Sequence, residues 1–136
     1  MNQIKVKYIG DLRTESIHAD SRSVIMTDAP KDNQGLGRKF SPTDLIASAL
    51  GSCLLTIMGI VAKRHNIDMV GSYANVEKTM GEQPRRISHI AVDIYLKSEL
   101  NEASIKILHN ASKHCPVHNS LCGDIDIQVN FRDSHA

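Results

Sequence analysis

The chain has 136 residues, a formal net charge of +1 with histidines neutral, 4% aromatic residues and no Trp. That length fits one domain, residues 1–136, able to bury its own core without disulfide staples. The near-neutral charge leaves no basic footprint and the few aromatics no stacking platform, so nucleic acid is not an expected partner.

Strands come first. Ile4, Val6 and Tyr8 alternate with Lys5 and Lys7, the pattern of a half-buried strand. No signal peptide is expected ahead of it, and a reducing cytoplasm is the expected setting. Gly10-Asp11 reads as a turn, and Leu12–His18 with Arg22–Thr27 as a hairpin across Ala19-Asp20-Ser21. A breaker-rich loop runs from Asp28 to Arg38. Ser41-Pro42-Thr43-Asp44 then starts a helix: Ser41 suits the N-cap, Pro42 the first helical position and Asp44 the capping box. The helix should run to about His65, with Lys63 and Arg64 in its last turn. Leu45–Ala62 carries no charge and is apolar nearly all round; its Ser, Thr and Gly residues favour a helix covered on several sides by protein over a membrane span.

Two strands are expected next, over Tyr73–Thr79 and Ile87–Leu96, then a helix capped by Asn101 with a stripe of Ala103, Ile107, Leu108 and Ala111. That helix should stop before Cys115-Pro116, because the residue before proline resists helical dihedrals. Val117–Leu121 reads as a short helical turn, Ile125–Phe131 as a last alternating strand, and the tail to Ala136 as frayed. The order β-β-β-α-β-β-α-β, with short loops between consecutive strands, indicates an α+β fold with antiparallel pairing.

Three cysteines at irregular spacing, Cys53, Cys115 and Cys122, make a poor disulfide framework. Taken alone, Cys53 reads either as a small core residue or as a reactive thiol, since Ala49, Gly51, Ser52 and Thr56 around it leave room for another group to approach. Cys115 follows the basic end of a helix beside His114 and His118, where cations would lower its pKa; the alternative is an incidental cysteine. Cys115, His118 and Cys122 have zinc-ligand chemistry, but no second ligand pair lies elsewhere in the chain, so no metal is expected. Arg13 and Arg38 are the cations that a thiol-based site would need to favour a thiolate and to steady charge on a leaving oxygen; each alone also reads as a surface charge.

Together, Ser41-Pro42-Thr43-Asp44-Leu45-Ile46-Ala47-Ser48-Ala49-Leu50-Gly51-Ser52-Cys53 and His114-Cys115-Pro116-Val117-His118-Asn119-Ser120-Leu121 resemble the two cysteine motifs of the OsmC/Ohr family (osmotically inducible protein C and organic hydroperoxide resistance protein). The strand and helix order is similar as well. The resemblance implies an intertwined homodimer with a long, central, buried helix. It implies reduction of organic hydroperoxides, with Cys53 attacking the peroxide, Cys115 resolving the intermediate, and an external dithiol restoring both. It calls for no cofactor. Leu50, Leu54 and Ile57 near Cys53 would favour organic peroxides, and Arg13 or Arg38 would be the activating arginine. Thr43 stands where the peroxidase pattern of the family has a glutamate, so the chain is similar to the broader OsmC-like branch. A redox-sensing or small-molecule-binding dimer with little turnover is the alternative.

Overall fold

The computed structural model describes residues 3–132. They divide into two compact units, the first ending at Ile46 and the second starting at Ala47. The C-terminal tail expected to fray falls, beyond Arg132, outside the described residues.

In the first unit, β1 (Ile4–Gly10), β2 (Arg13–His18) and β3 (Val24–Asp28) form an antiparallel sheet in the order β1-β2-β3. Gly10, Asp11 and Leu12 all take positive φ and turn the chain between β1 and β2. The hairpin register that sets Ile17 against Val24 also sets Arg13 against Asp28. The alternation in β1 predicts one covered face. Instead both faces are open: Ile4 and Val6 are each 61% exposed and Tyr8 68%. Only Thr27, Asp28 and Ser41 are buried among the described residues of this unit, so its sheet has no apolar core of its own.

The long helix α1 (Pro42–Arg64) starts where the capping signal placed it. Asp44 N–H donates to Ser41 Oγ (3.1 Å), and Ser41 N–H donates to Asp44 Oδ2 (2.9 Å), a reciprocal capping box. By length and composition α1 could cross a membrane. In the chain, one stripe of it is buried: Ala47, Leu50, Gly51, Leu54, Met58 and Ala62, at the three- and four-residue spacing of a single helix face. Coverage on several sides is therefore not met within one chain; Ile46, Ala49, Ser52, Thr56 and Ile60 are exposed.

The second unit holds the apolar core. β4 (Tyr73–Gly81), β5 (Arg86–Tyr95) and β6 (Asp126–Arg132) form its sheet. Between β5 and β6 come α2 (Glu102–Ala111), a 3-10 turn at Ser112–His114 and α3 (Pro116–Leu121). The expected antiparallel pairing holds for β4–β5, but β6 runs parallel to β5. The helical stretch between them is the crossover that a parallel neighbour requires. Leu50, Leu54 and Met58 of α1 cluster with Ile90, Val92 and Ile94 of β5 and with Leu108 of α2. Gly51 lets the helix lie close to the sheet: a Cβ there would stand 2.7 Å from Val76 Cγ2 of β4.

Candidate active site

Cys115 is placed by local sequence. Asn101 Oδ1 accepts from Ser104 N–H (2.8 Å) and starts α2; Pro116 starts α3 and leaves Cys115 in an extended conformation as its N-cap. The thiol then does what a capping oxygen would do, with Sγ accepting from His118 N–H at 3.3 Å. Cys115 is only 1% exposed.

Cys53 is half-buried on α1, at the edge of the buried stripe. Its side chain packs against the core that holds Cys115, close enough to that thiol to raise its pKa, and both are free thiols. Two cysteines distant in sequence, one on a helix flank and one at a helix cap, thus meet within the second unit. Burial, followed by the nearby Cys53 thiol, pushes the Cys115 thiol above its ordinary pKa, only partly opposed by the His118 N–H. This reverses the expectation that cationic neighbours would lower it: desolvation of the thiolate outweighs nearby partial charge. Cys122 is exposed at the far end of α3, its thiol donating to Asn119 O at 3.6 Å.

Around the pair, Leu50 and Leu54 are fully buried in the core and Ile57 packs against it half-buried. Gly51, one of the small residues expected to leave room for an approaching group, is occupied by β4, whereas Ala49, Ser52 and Thr56 face outward. Among the described residues no group of three His, Cys, Asp or Glu is arranged to hold a metal ion.

The two candidate arginines both lie in the first unit, and the structure brings them to one carboxylate. Arg38 donates to Asp28 Oδ2 through Nε (2.8 Å) and through its backbone N–H (3.0 Å). Arg13 lies opposite Asp28 across β2 and β3. Asp28 is completely buried, whereas the Arg38 side chain is 47% exposed. The Arg38 hydrogen bond holds the Asp28 carboxyl below its usual range against the opposing effect of burial, with the Arg13 charge adding to the lowering. Asp28 Oδ1 and Arg13 Nε are buried without a hydrogen-bond partner among the described residues. Thr43 Oγ1 meets Ser41 Oγ at 3.2 Å, so that position completes the helix cap. Asp28 reads in the sequence only as the first residue of a loop; the hairpin register placing it against Arg13 is the signal that marks it.

The model of the OsmC-like protein family matches residues 34–130. No curated protein matches the chain. Among solved structures, a Psychrobacter arcticus protein, provisionally described as an osmotic stress induced and detoxification response protein, is 47% identical, with a TM-score of 0.90 over 97% of this chain and 96% of its own. An OsmC-like protein from Mycoplasma pneumoniae is 24% identical, with a TM-score of 0.80 over 99% and 98% of the two chains. An organic hydroperoxide resistance protein from Legionella pneumophila shares the fold at 17% identity, with a TM-score of 0.75 over 96% of each chain. With a family match reaching from the loop before α1 into β6, and these folds spanning nearly its whole length, the chain belongs to the OsmC-like protein family.

Proposed function

We propose that this chain is a thiol-dependent reductase of organic hydroperoxides, acting as a homodimer in a reducing, cytoplasmic setting. The observation that carries the proposal is the proximity of two free thiols, Cys53 and Cys115, on separate elements of one unit. Cys53 is the more accessible of the two and is the attacking group. Its thiolate takes the outer peroxide oxygen as the O–O bond breaks, leaving Cys53 as a sulfenic acid and releasing an alcohol. Cys115 then displaces water from the sulfenic acid and forms the disulfide. An external dithiol restores both thiols by exchange. All electrons come from thiols, so the cycle calls for no cofactor.

Three further observations support the reading. Arg13 and Arg38, gathered at Asp28, form a two-cation, one-anion cluster with net positive charge, suited to a developing oxyanion. Ile57, half-buried four residues along α1 from Cys53, gives that region an apolar side chain, with Leu50 and Leu54 packed in the core behind it. The Psychrobacter protein, at 47% identity, is described in terms of detoxification. A second copy of the chain would cover the open apolar residues of β1 and of the outer face of α1.

The test is consumption of an alkyl hydroperoxide in the presence of a dithiol. Wild type is expected to turn over, Cys53→Ser to fall to the uncatalysed background, and Cys115→Ser to stop after one turnover with Cys53 overoxidised to sulfinic acid. A wild-type rate no greater than that of Cys53→Ser contradicts the proposal and favours a sensing or binding role.

A further inference from the structure

A cavity of about 280 Å³ opens in the second unit between α2, α3 and β6. Leu54, Val129 and Phe131 supply its apolar surface, and His109, Lys113 and His118 bring three basic side chains to it. None of its lining residues is a carboxylate. No carboxylate among the described residues forms an ion pair with Lys113, His109 or His118 either. The His109 ring is held edge-on against Phe131, with centroids 4.5 Å apart, so one basic group is fixed at the boundary between the apolar and polar walls.

A site whose apolar residues come from α1 and β6 and whose basic residues come from α2, the 3-10 turn and α3, with no counter-charge among its described lining residues, is complementary to a molecule of the opposite pattern. We propose that this cavity binds a small amphipathic carboxylate, a short-chain organic acid whose tail lies on Leu54, Val129 and Phe131 while its carboxylate meets Lys113 and the two histidines. The volume is at the small end for ligand pockets and suits a chain of about four to six carbons. An inorganic anion would leave the apolar wall unused, and a neutral alcohol would leave the Lys113 ammonium unpaired. The site borders the thiols: His118, which lines it, also donates its backbone N–H to Cys115 Sγ, and Leu54 follows Cys53 in α1. An occupant would therefore touch the turn that holds the second thiol.

The inference does not depend on peroxide turnover and is tested without it. Fully reduced, isotope-labelled protein is titrated separately with butyrate, n-butanol and inorganic phosphate, following amide and side-chain resonances. Butyrate should give saturable shifts at His109, Lys113, His118 and Phe131, with butanol and phosphate each binding at least about fivefold more weakly. Lys113→Met, at an exposed position that the fold does not need, should weaken butyrate by about fivefold and leave butanol unchanged, and Lys113→Arg should restore binding. Equal binding of butyrate and butanol, equal binding of butyrate and phosphate, absence of saturation, or indifference to Lys113→Met would each overturn the proposal.

Discussion

At the scale of the residue, burial and charge pull the candidate groups in opposite directions. Cys115 is sealed from solvent and its thiol is held protonated, so the step in which it attacks a sulfenic acid requires loss of a proton that burial disfavours. Disulfide formation should accelerate with rising pH and go on accelerating above the ordinary thiol value of about 8.5. Trapping of the Cys53 sulfenic acid by a dimedone probe should be efficient near neutrality and fall away in alkali; a pH-independent yield contradicts this. Asp28 behaves in the opposite sense. Its folded pKa is depressed by Arg38, so its contribution to stability is fully present above the unfolded value of about 3.9 and is lost as pH falls through the lower folded value. Asp28→Asn should melt below wild type at neutral pH, and the gap should close on acidification below about pH 4. A gap that stays constant into acid would mean that the Arg38 pairing adds nothing. Neither behaviour was legible in the sequence. His114 and His118 beside Cys115 suggested a lowered pKa because neighbours are visible in a sequence and desolvation is not. Asp28 looked like a loop residue because its partners, Arg13 and Arg38, reach it only through strand register and loop closure.

At the scale of the element, what was legible was local. The Ser41–Asp44 cap, the Asn101 cap and the break at Pro116 all appear where the sequence put them, since each is decided within a few residues. Ser41→Ala should cost about 1 kcal/mol of stability in chemical denaturation, and Ser41→Asp much less. The parallel pairing of β6 was not legible, because strand direction is decided by where the crossover lands. Gly51 shows a local preference overruled by packing. Alanine there should favour the helix by about 1 kcal/mol, yet its Cβ would press on Val76, an overlap costing about 1–3 kcal/mol. Gly51→Ala should therefore destabilise on balance. Gly51→Ala combined with Val76→Ala should lose less than the sum of the two single variants, by about 1 kcal/mol in a double-mutant cycle. Strict additivity would contradict close packing of α1 on β4.

At the scale of the whole molecule, the sequence conveyed the family and the element order but not the extent of burial. An alternating strand and a helix apolar all round both promise covered faces. In one chain β1 is open on both faces and α1 is covered along one stripe. Periodicity records that a face is apolar and is silent on whether the same chain or another covers it. The homodimer we propose would cover both. Sedimentation should give a particle of twice the 15.0 kDa chain mass, with a melting temperature that rises with protein concentration. Ile4→Lys combined with Val6→Lys should shift it towards monomer, and a wild-type chain monomeric at all concentrations contradicts the pairing. The central claim, that Cys53 and Cys115 act as one redox couple, is tested most directly in a single turnover of the reduced protein. With Cys122→Ser to remove the third thiol, one equivalent of an alkyl hydroperoxide should yield one alcohol, consume both remaining thiols and leave a Cys53–Cys115 bridge in the peptide map. Peroxide left unreduced, or peroxide reduced with no bridge between these two cysteines, would contradict it.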